Sequence, residues 1–274
     1  MRKFLLQLML SFVFCSSYGQ TVRLPATAIF TRLTTYSGFH AHALSFEANQ
    51  AALASVSRFS AGLFSERKFL LKEMSLYSGA IVLPAASGSF GGQGSYFGDA
   101  FSSETGLGLA YGRKLGNLVS VGVQFNYYSF KLAGYGSASS INAEGGVMIR
   151  LAEGLRMGAH VYNPTGSAIG KSGEERLPAI YSMGVGYDVS EKFFVGAEVE
   201  KMEDQPVNVQ VGLQYYFDEK LCAGAGMASA GSTYYFGLGV LVKNIQLHAV
   251  ASVHPQLGFT PGLQLLFNRS RANE

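Results

Sequence analysis

The sequence predicts an all-β fold: a transmembrane antiparallel β-barrel of about fourteen strands, with a short N-terminal plug segment. Three observations predict it. Segments of about ten residues alternate apolar with polar side chains. Charged residues make up only 14% of the chain, against roughly 25% in soluble domains. A secretory leader is followed by no apolar run long enough for a membrane helix, so only a closed barrel could satisfy the backbone in lipid.

The leader comes first. Arg2 and Lys3 precede an apolar run over residues 4–14 and a small-residue site at Ser17-Tyr18-Gly19, so residues 1–19 read as a signal peptide cleaved after Gly19. Cys15 does not turn it into a lipoprotein leader, because Phe14 stands where a small residue is needed. Beyond it only Cys222 remains, so neither an internal disulfide nor a cysteine metal cluster is expected. A net charge of +3 with interspersed signs argues against a nucleic-acid footprint.

Residues 20–55 form the second element. The stretch SGFHAHALSFEANQAALASV lacks period-two alternation and suits short helical turns, so this segment reads as a plug entering the barrel. The barrel follows over residues 56–268, with a tail at 269–274. Its strands are expected at 56–65, 69–82, 87–97, 104–113, 117–132, 138–151, 154–163, 178–189, 192–202, 206–217, 220–228, 232–242, 245–253 and 258–267. In VNVQVGLQYYF, residues 207–217, valine, leucine and aromatic side chains take odd positions and mainly amides the even ones. Lipid on one side and a lumen on the other would meet that pattern. Compact turns at 243–244, 218–219, 188–191, 152–153 and 114–117 fall on one side, and longer connections at 163–176, 133–138 and 254–258 on the other. Tyr111, Tyr127, Tyr181, Tyr187, Tyr215 and Phe217 lie near the ends of outward rows, as an interfacial girdle requires. A secreted β-sandwich binding module is the alternative, but its water-facing side should carry more lysine and glutamate than Gly, Ser, Gln, Asn and Ala.

The inner face carries the candidate sites. Its glycines, Gly106, Gly108, Gly112, Gly122, Gly184, Gly186, Gly224, Gly226, Gly237 and Gly239, either leave room for the plug or relieve crowding where strands bend. Glu144, Arg150, Arg156, His160, Glu198 and Glu200 form a lumen polar cluster of mixed sign, read as a salt-bridge network locking plug to wall or as a polar constriction. GSAIGKS at 166–172 is one residue short of a phosphate-binding loop and lacks a following helix. His40 and His42 have only Glu47 near them in sequence, which is too little for a metal site. His160 and His248 lack an evident serine with a carboxylate or amide partner, which weighs against an outer-membrane lipid hydrolase or acyltransferase. No cofactor is expected.

The plug stretch Asn49-Gln50-Ala51-Ala52-Leu53-Ala54, together with Ala-Tyr-Gly-Arg-Lys at 110–114 and Gly-Ala-His-Val-Tyr-Asn-Pro at 158–164, resembles the PorV/PorQ-like outer-membrane proteins, relatives of the long-chain fatty-acid transporter barrels. In that family the plug carries an Asn-Pro-Ala core, and Gln50 replaces the proline here. The resemblance covers most of the mature chain. It implies the outer membrane of a Gram-negative bacterium and a gate at Asn49, Gln50, Ala51, Ala52 and Leu53. It also implies a non-enzymatic role, either as a conduit for small hydrophobic molecules or as an accessory of type IX protein secretion. The expected partners are outer-membrane lipid and either a hydrophobic small molecule or a secretion translocon.

Overall fold

A computed structural model describes residues 28–170, 175–218 and 220–268. The expected signal peptide and the tail at 269–274 lie outside these residues. Fourteen antiparallel strands close into a barrel. In chain order they are β1 (Ser60–Arg67), β2 (Ser75–Ala85), β3 (Gly88–Gly98), β4 (Ser102–Leu115), β5 (Val119–Leu132), β6 (Gly136–Ala152) and β7 (Leu155–Tyr162). After a small hairpin of β8 (Ala168–Ile169) and β9 (Glu175–Arg176) come β10 (Ile180–Ser190), β11 (Phe193–Met202), β12 (Asn208–Tyr216), β13 (Leu221–Ala228), β14 (Thr233–Val242), β15 (Ile245–His254) and β16 (Gly258–Asn268). Each strand pairs with its barrel neighbours in sequence. β1 pairs with β16 from Ser60↔Asn268 to Glu66↔Gly262, so no edge is left open.

Every expected strand is present, with two corrections near the start. Residues 56–59 are not strand, and residues 68–74 form 3-10 turns rather than the beginning of β2. The glycine-rich β3 pairs along its whole length, Leu76↔Phe97 to Ala85↔Gly88 on one side and Ser89↔Gly112 to Gly98↔Ser103 on the other. The tight turns gather at one end with both barrel termini. The turn after β6 needs Gly154 at φ 73°, because a Cβ there would also lie 2.6 Å from the Asp188 carbonyl oxygen. At the opposite end the connection between β7 and β10 buries Ile169 and Leu177. Asn163 fastens it, its Nδ2 donating to Leu177 O at 2.6 Å and its Oδ1 accepting from Ser167 N at 3.0 Å. Within GSAIGKS, Ala168–Ile169 form β8, paired with β9, while residues 171–172 lie outside the described residues.

The outward rows decide between barrel and sandwich. Leu109 is 75% exposed, Ile141 69% and Phe125 65%, on a closed sheet that leaves them uncovered among the described residues. A closed barrel with such an exterior is a membrane-spanning surface. The aromatic rows lie outward as expected, Tyr127, Tyr181, Tyr187, Tyr215 and Phe217 all being exposed.

Candidate functional site: the plug and its seat

The plug runs through the lumen as short helical pieces: α1 (Ala28–Leu33), then 3-10 turns at Thr34–Tyr36, Ala43–Glu47 and Gln50–Ser55. From Arg32 the chain descends toward the tight-turn end at Ser37, rises to Glu47, and returns to β1. Capping explains the breaks between its pieces. Asn49 Oδ1 accepts from Ala51 N at 3.0 Å, and His42 Nδ1 accepts from Leu44 N at 3.2 Å. The His42 ring can accept only when neutral, and burial, with His248 and His40 nearby, lowers its pKa to about 3. His40 stacks on Tyr216 with ring centroids 4.7 Å apart. Both histidines are thus engaged in plug structure. No group of three metal-ligating side chains is assembled among the described residues.

The wall fits the plug through glycine. Gly112, Gly122 and Gly146 are register partners across β4, β5 and β6, Gly158 and Gly184 across β7 and β10, and Gly186, Gly196 and Gly212 across β10, β11 and β12. A Cβ at Gly122 would lie 2.3 Å from Gln50 C, one at Gly146 2.1 Å from Asn49 Oδ1, and one at Gly184 2.4 Å from the Tyr36 ring. Of the two readings of the inner glycines, room for the plug holds at Gly112, Gly122, Gly184 and Gly186. At Gly106, Gly108 and Gly239 the space is filled instead by wall side chains such as Tyr128, Asn126 and His248.

Asn49 is the closest-seated of the expected gate residues. Its Nδ2 donates to Val147 O at 3.3 Å and Ala159 O at 3.1 Å, on the adjacent strands β6 and β7. Gln50 lays its backbone on Gly122 and bonds Phe46 O with Nε2 at 3.4 Å, while Ala51 and Ala52 pack on Met148. Leu53 joins Leu44, Phe46, Phe64, Leu76, Val82 and Leu266 in an apolar core between plug and wall. The lumen is therefore not polar all round: near β1, β2 and β16 it is a hydrophobic core, signalled by Phe64, Leu76, Val82 and Leu266 at even positions of their strands.

The expected polar cluster divides into separate sets. Glu144 accepts at Oε1 from Gln124 Nε2 and Asn126 Nδ2, both at 2.7 Å, and at Oε2 meets His160 Nε2 at 2.8 Å. Glu198 and Glu200 hold Arg32 Nη2 at 2.7 and 2.6 Å, and Tyr36 OH donates to Glu198 Oε2 at 2.7 Å. Burial alone disfavours the Arg32 charge, yet the two carboxylates raise its pKa above the ordinary value. Arg156 donates through Nη1 to Ser37 O, near where Ser37 Oγ and Gly38 N bond Asp188. Arg150 is a correction: it is exposed next to the β6–β7 tight turn, outside both sets. Sequence reasoning missed Arg32, Tyr36 and Asp188. A lone arginine in AIFTRL, facing a lumen with two nearby glutamates on β11, was the available signal.

Arg32, Glu47, Glu144 and His160 meet at a cavity of about 100 Å³ on the long-loop side of the plug. Leu76, Gln93, Phe97, Glu104, Tyr128, Tyr162, Ile180 and Ser182 also line it. Burial, then repulsion from Glu144, pushes the Glu47 carboxyl up to about 8. Between the ordinary carboxylate range and about pH 8 the seated plug holds a proton that the free chain releases, so seating weakens as pH rises through that window. Limited proteolysis of the plug should accordingly speed up from about pH 6.5 to pH 9, above the range where His42 titrates in the free chain, and lose most of that dependence in Glu47→Gln.

His248 lies between Cys222 Sγ at 3.8 Å (Nδ1) and Gln246 Oε1 at 3.4 Å (Nε2), distances too long for firm hydrogen bonds. His160 is taken by Glu144.

Three solved structures share the architecture. A Pseudomonas aeruginosa FadL homologue superposes with a TM-score of 0.68 at 12% identity, covering 92% of this chain and 100% of its own. The fold is that of the FadL-type outer-membrane barrels. The CymD monoaromatic hydrocarbon channel gives 0.60 at 10% identity over 93% of this chain and 95% of its own. The Pseudomonas putida toluene transporter TodX gives 0.59 at 12% over 90% and 98%. No family model matches the sequence, and no curated protein matches it.

Proposed function

We propose that this chain is an outer-membrane channel of a Gram-negative bacterium, with no enzymatic activity of its own, passing small and largely hydrophobic molecules past a plug at Asn49–Leu53. The observation that carries this reading is the seat: a closed wall shaped by glycine to receive a segment held only by side-chain contacts and a few backbone bonds. A wall meant to be permanently filled needs no such separable insert. Likeness in fold to barrels described as a toluene transporter and a monoaromatic hydrocarbon channel supports the substrate class. The Arg32 ion pairs on β11 and the Asn49 bonds to β6 and β7 then act as the catch.

The test is flux of an aromatic tracer into liposomes carrying the barrel purified from outer membranes, in parent form and with residues 38–54 deleted. Folding of both is checked by faster gel mobility without boiling. The deletion should raise flux at least about tenfold, as opening a sealed lumen requires; unchanged flux would sink the gate. The same purification tests the second reading, suggested by the PorV/PorQ resemblance and by Phe39, 57% exposed beside Lys192, Lys220 and Lys243 at the tight-turn mouth. A larger translocon retained with the barrel supports a type IX accessory role, and isolation of a lone barrel counts against it.

A further inference from the structure

The cavity above the plug has a two-sided lining. Leu76, Phe97, Ile180 and the ring of Tyr128 present apolar surface. Against them stand buried polar atoms with no hydrogen-bond partner among the described residues: Arg32 Nε, Ser78 Oγ, Gln93 Oε1 and Ser182 Oγ. Arg32 is 6% exposed and Ser182 5%, so neither reaches bulk solvent. Polar groups this deep are ordinarily paired, and each one covered by a hydrocarbon would cost about 1–3 kcal/mol. At about 100 Å³ the cavity is smaller than the about 150 Å³ that accepts benzene, so it takes one small ring at most, and only as flexible lining side chains such as Gln93 give way.

Charge narrows the ligand further. Glu104 and Glu144 line the space, and the one guanidinium there is committed to Glu198 and Glu200. A carboxylate ligand would meet repulsion, while a bare hydrocarbon would leave Ser182 Oγ and Gln93 Oε1 unpaired. A neutral hydroxyl both donates and accepts, so it can serve Gln93 Oε1 and Arg32 Nε or Ser182 Oγ at once.

We propose that this cavity is the selectivity site of the channel and takes a small neutral aromatic compound bearing a hydroxyl, of the phenol type, in preference to the hydrocarbon and the carboxylate. This rests on the channel reading above for its role in passage, though not for binding itself.

The experiment is calorimetric titration of the full-chain barrel in detergent with phenol, toluene and benzoate. Phenol should bind at least about tenfold more tightly than toluene, the equivalent of one satisfied buried hydrogen bond, and benzoate more weakly than either. Ser182→Val and Gln93→Leu, each first shown to keep the mobility shift of the closed barrel, should remove most of the phenol preference without weakening toluene. Either variant alone suffices if the other does not fold. Equal affinity for phenol and toluene, tighter benzoate binding, a phenol preference unmoved by both variants, or no saturable binding at all would overturn the proposal. Phenol binding that passes these tests while the plug deletion leaves flux unchanged would refute the channel reading and leave the site standing.

Discussion

Gly122→Ala is expected to unseat the plug while leaving the barrel closed. The new Cβ would fall 2.3 Å from Gln50 C, 2.4 Å from Gln50 O and 2.7 Å from Ala51 N. These are backbone atoms, so no rotamer change relieves the clash and the plug must move bodily. Overpacking of this kind costs about 1–3 kcal/mol, and here the whole cost falls on seating because the outer ladder of β5 is untouched. Gly146→Ala should behave alike through Asn49, whose Oδ1 would be 2.1 Å from the added carbon. Gly145→Ala, one residue away on the lipid side, meets Gly122 O at 3.5 Å and Val123 Cγ1 at 3.9 Å, both ordinary contacts, and should be neutral. The measurement is protease cleavage within residues 38–54, with barrel closure followed by gel mobility. Equal protection of the plug in Gly122→Ala and Gly145→Ala would mean that the glycine seat does not determine plug position.

Arg32→Ala is the second large effect. It leaves Glu198, 1% exposed, and Glu200, 9% exposed, without their cation. Removing one side of a buried ion pair costs about 3–5 kcal/mol, because the remaining charge is stranded in a poorly solvating interior. The plug is the part that can yield, so the expected result is release of α1 from β11, read as faster cleavage of the plug and greater flux. Arg32→Lys should recover only part of the loss, since one ammonium does not reproduce the guanidinium's planar fork. Combining Arg32→Met with Glu198→Gln and Glu200→Gln should restore most of the seating by removing the stranded charges. If the triple variant is as loose as Arg32→Ala, the effect lies in lost packing around Arg32 and not in charge.

Much of the barrel was legible in the sequence because period-two alternation is a local property. VNVQVGLQYYF states its two faces without knowledge of any neighbour, and the short turns beside it state which strands are adjacent. The misplaced start of β2 is equally local in origin: LLKEMS carries apolar and polar residues in a pattern that strand and 3-10 turn share. The outward aromatic rows were likewise legible, since outward position follows from parity alone.

The site depended on which residues meet across the lumen, and parity cannot say that. Glu144 and His160 share a face and do meet, while Arg150 shares it too and lies exposed at the rim beside the β6–β7 tight turn. Arg32 and Tyr36 reach Glu198 across more than 160 residues of chain, by way of a plug with no periodic signal. The lumen near β1, β2 and β16 proved apolar because the plug brings Leu44, Phe46 and Leu53 there. The sequence by itself determined that a lipid-facing barrel would form and that a non-strand segment would precede it. Only the tertiary structure decided how that segment sits, because glycine specifies the absence of a side chain and leaves open what occupies the space.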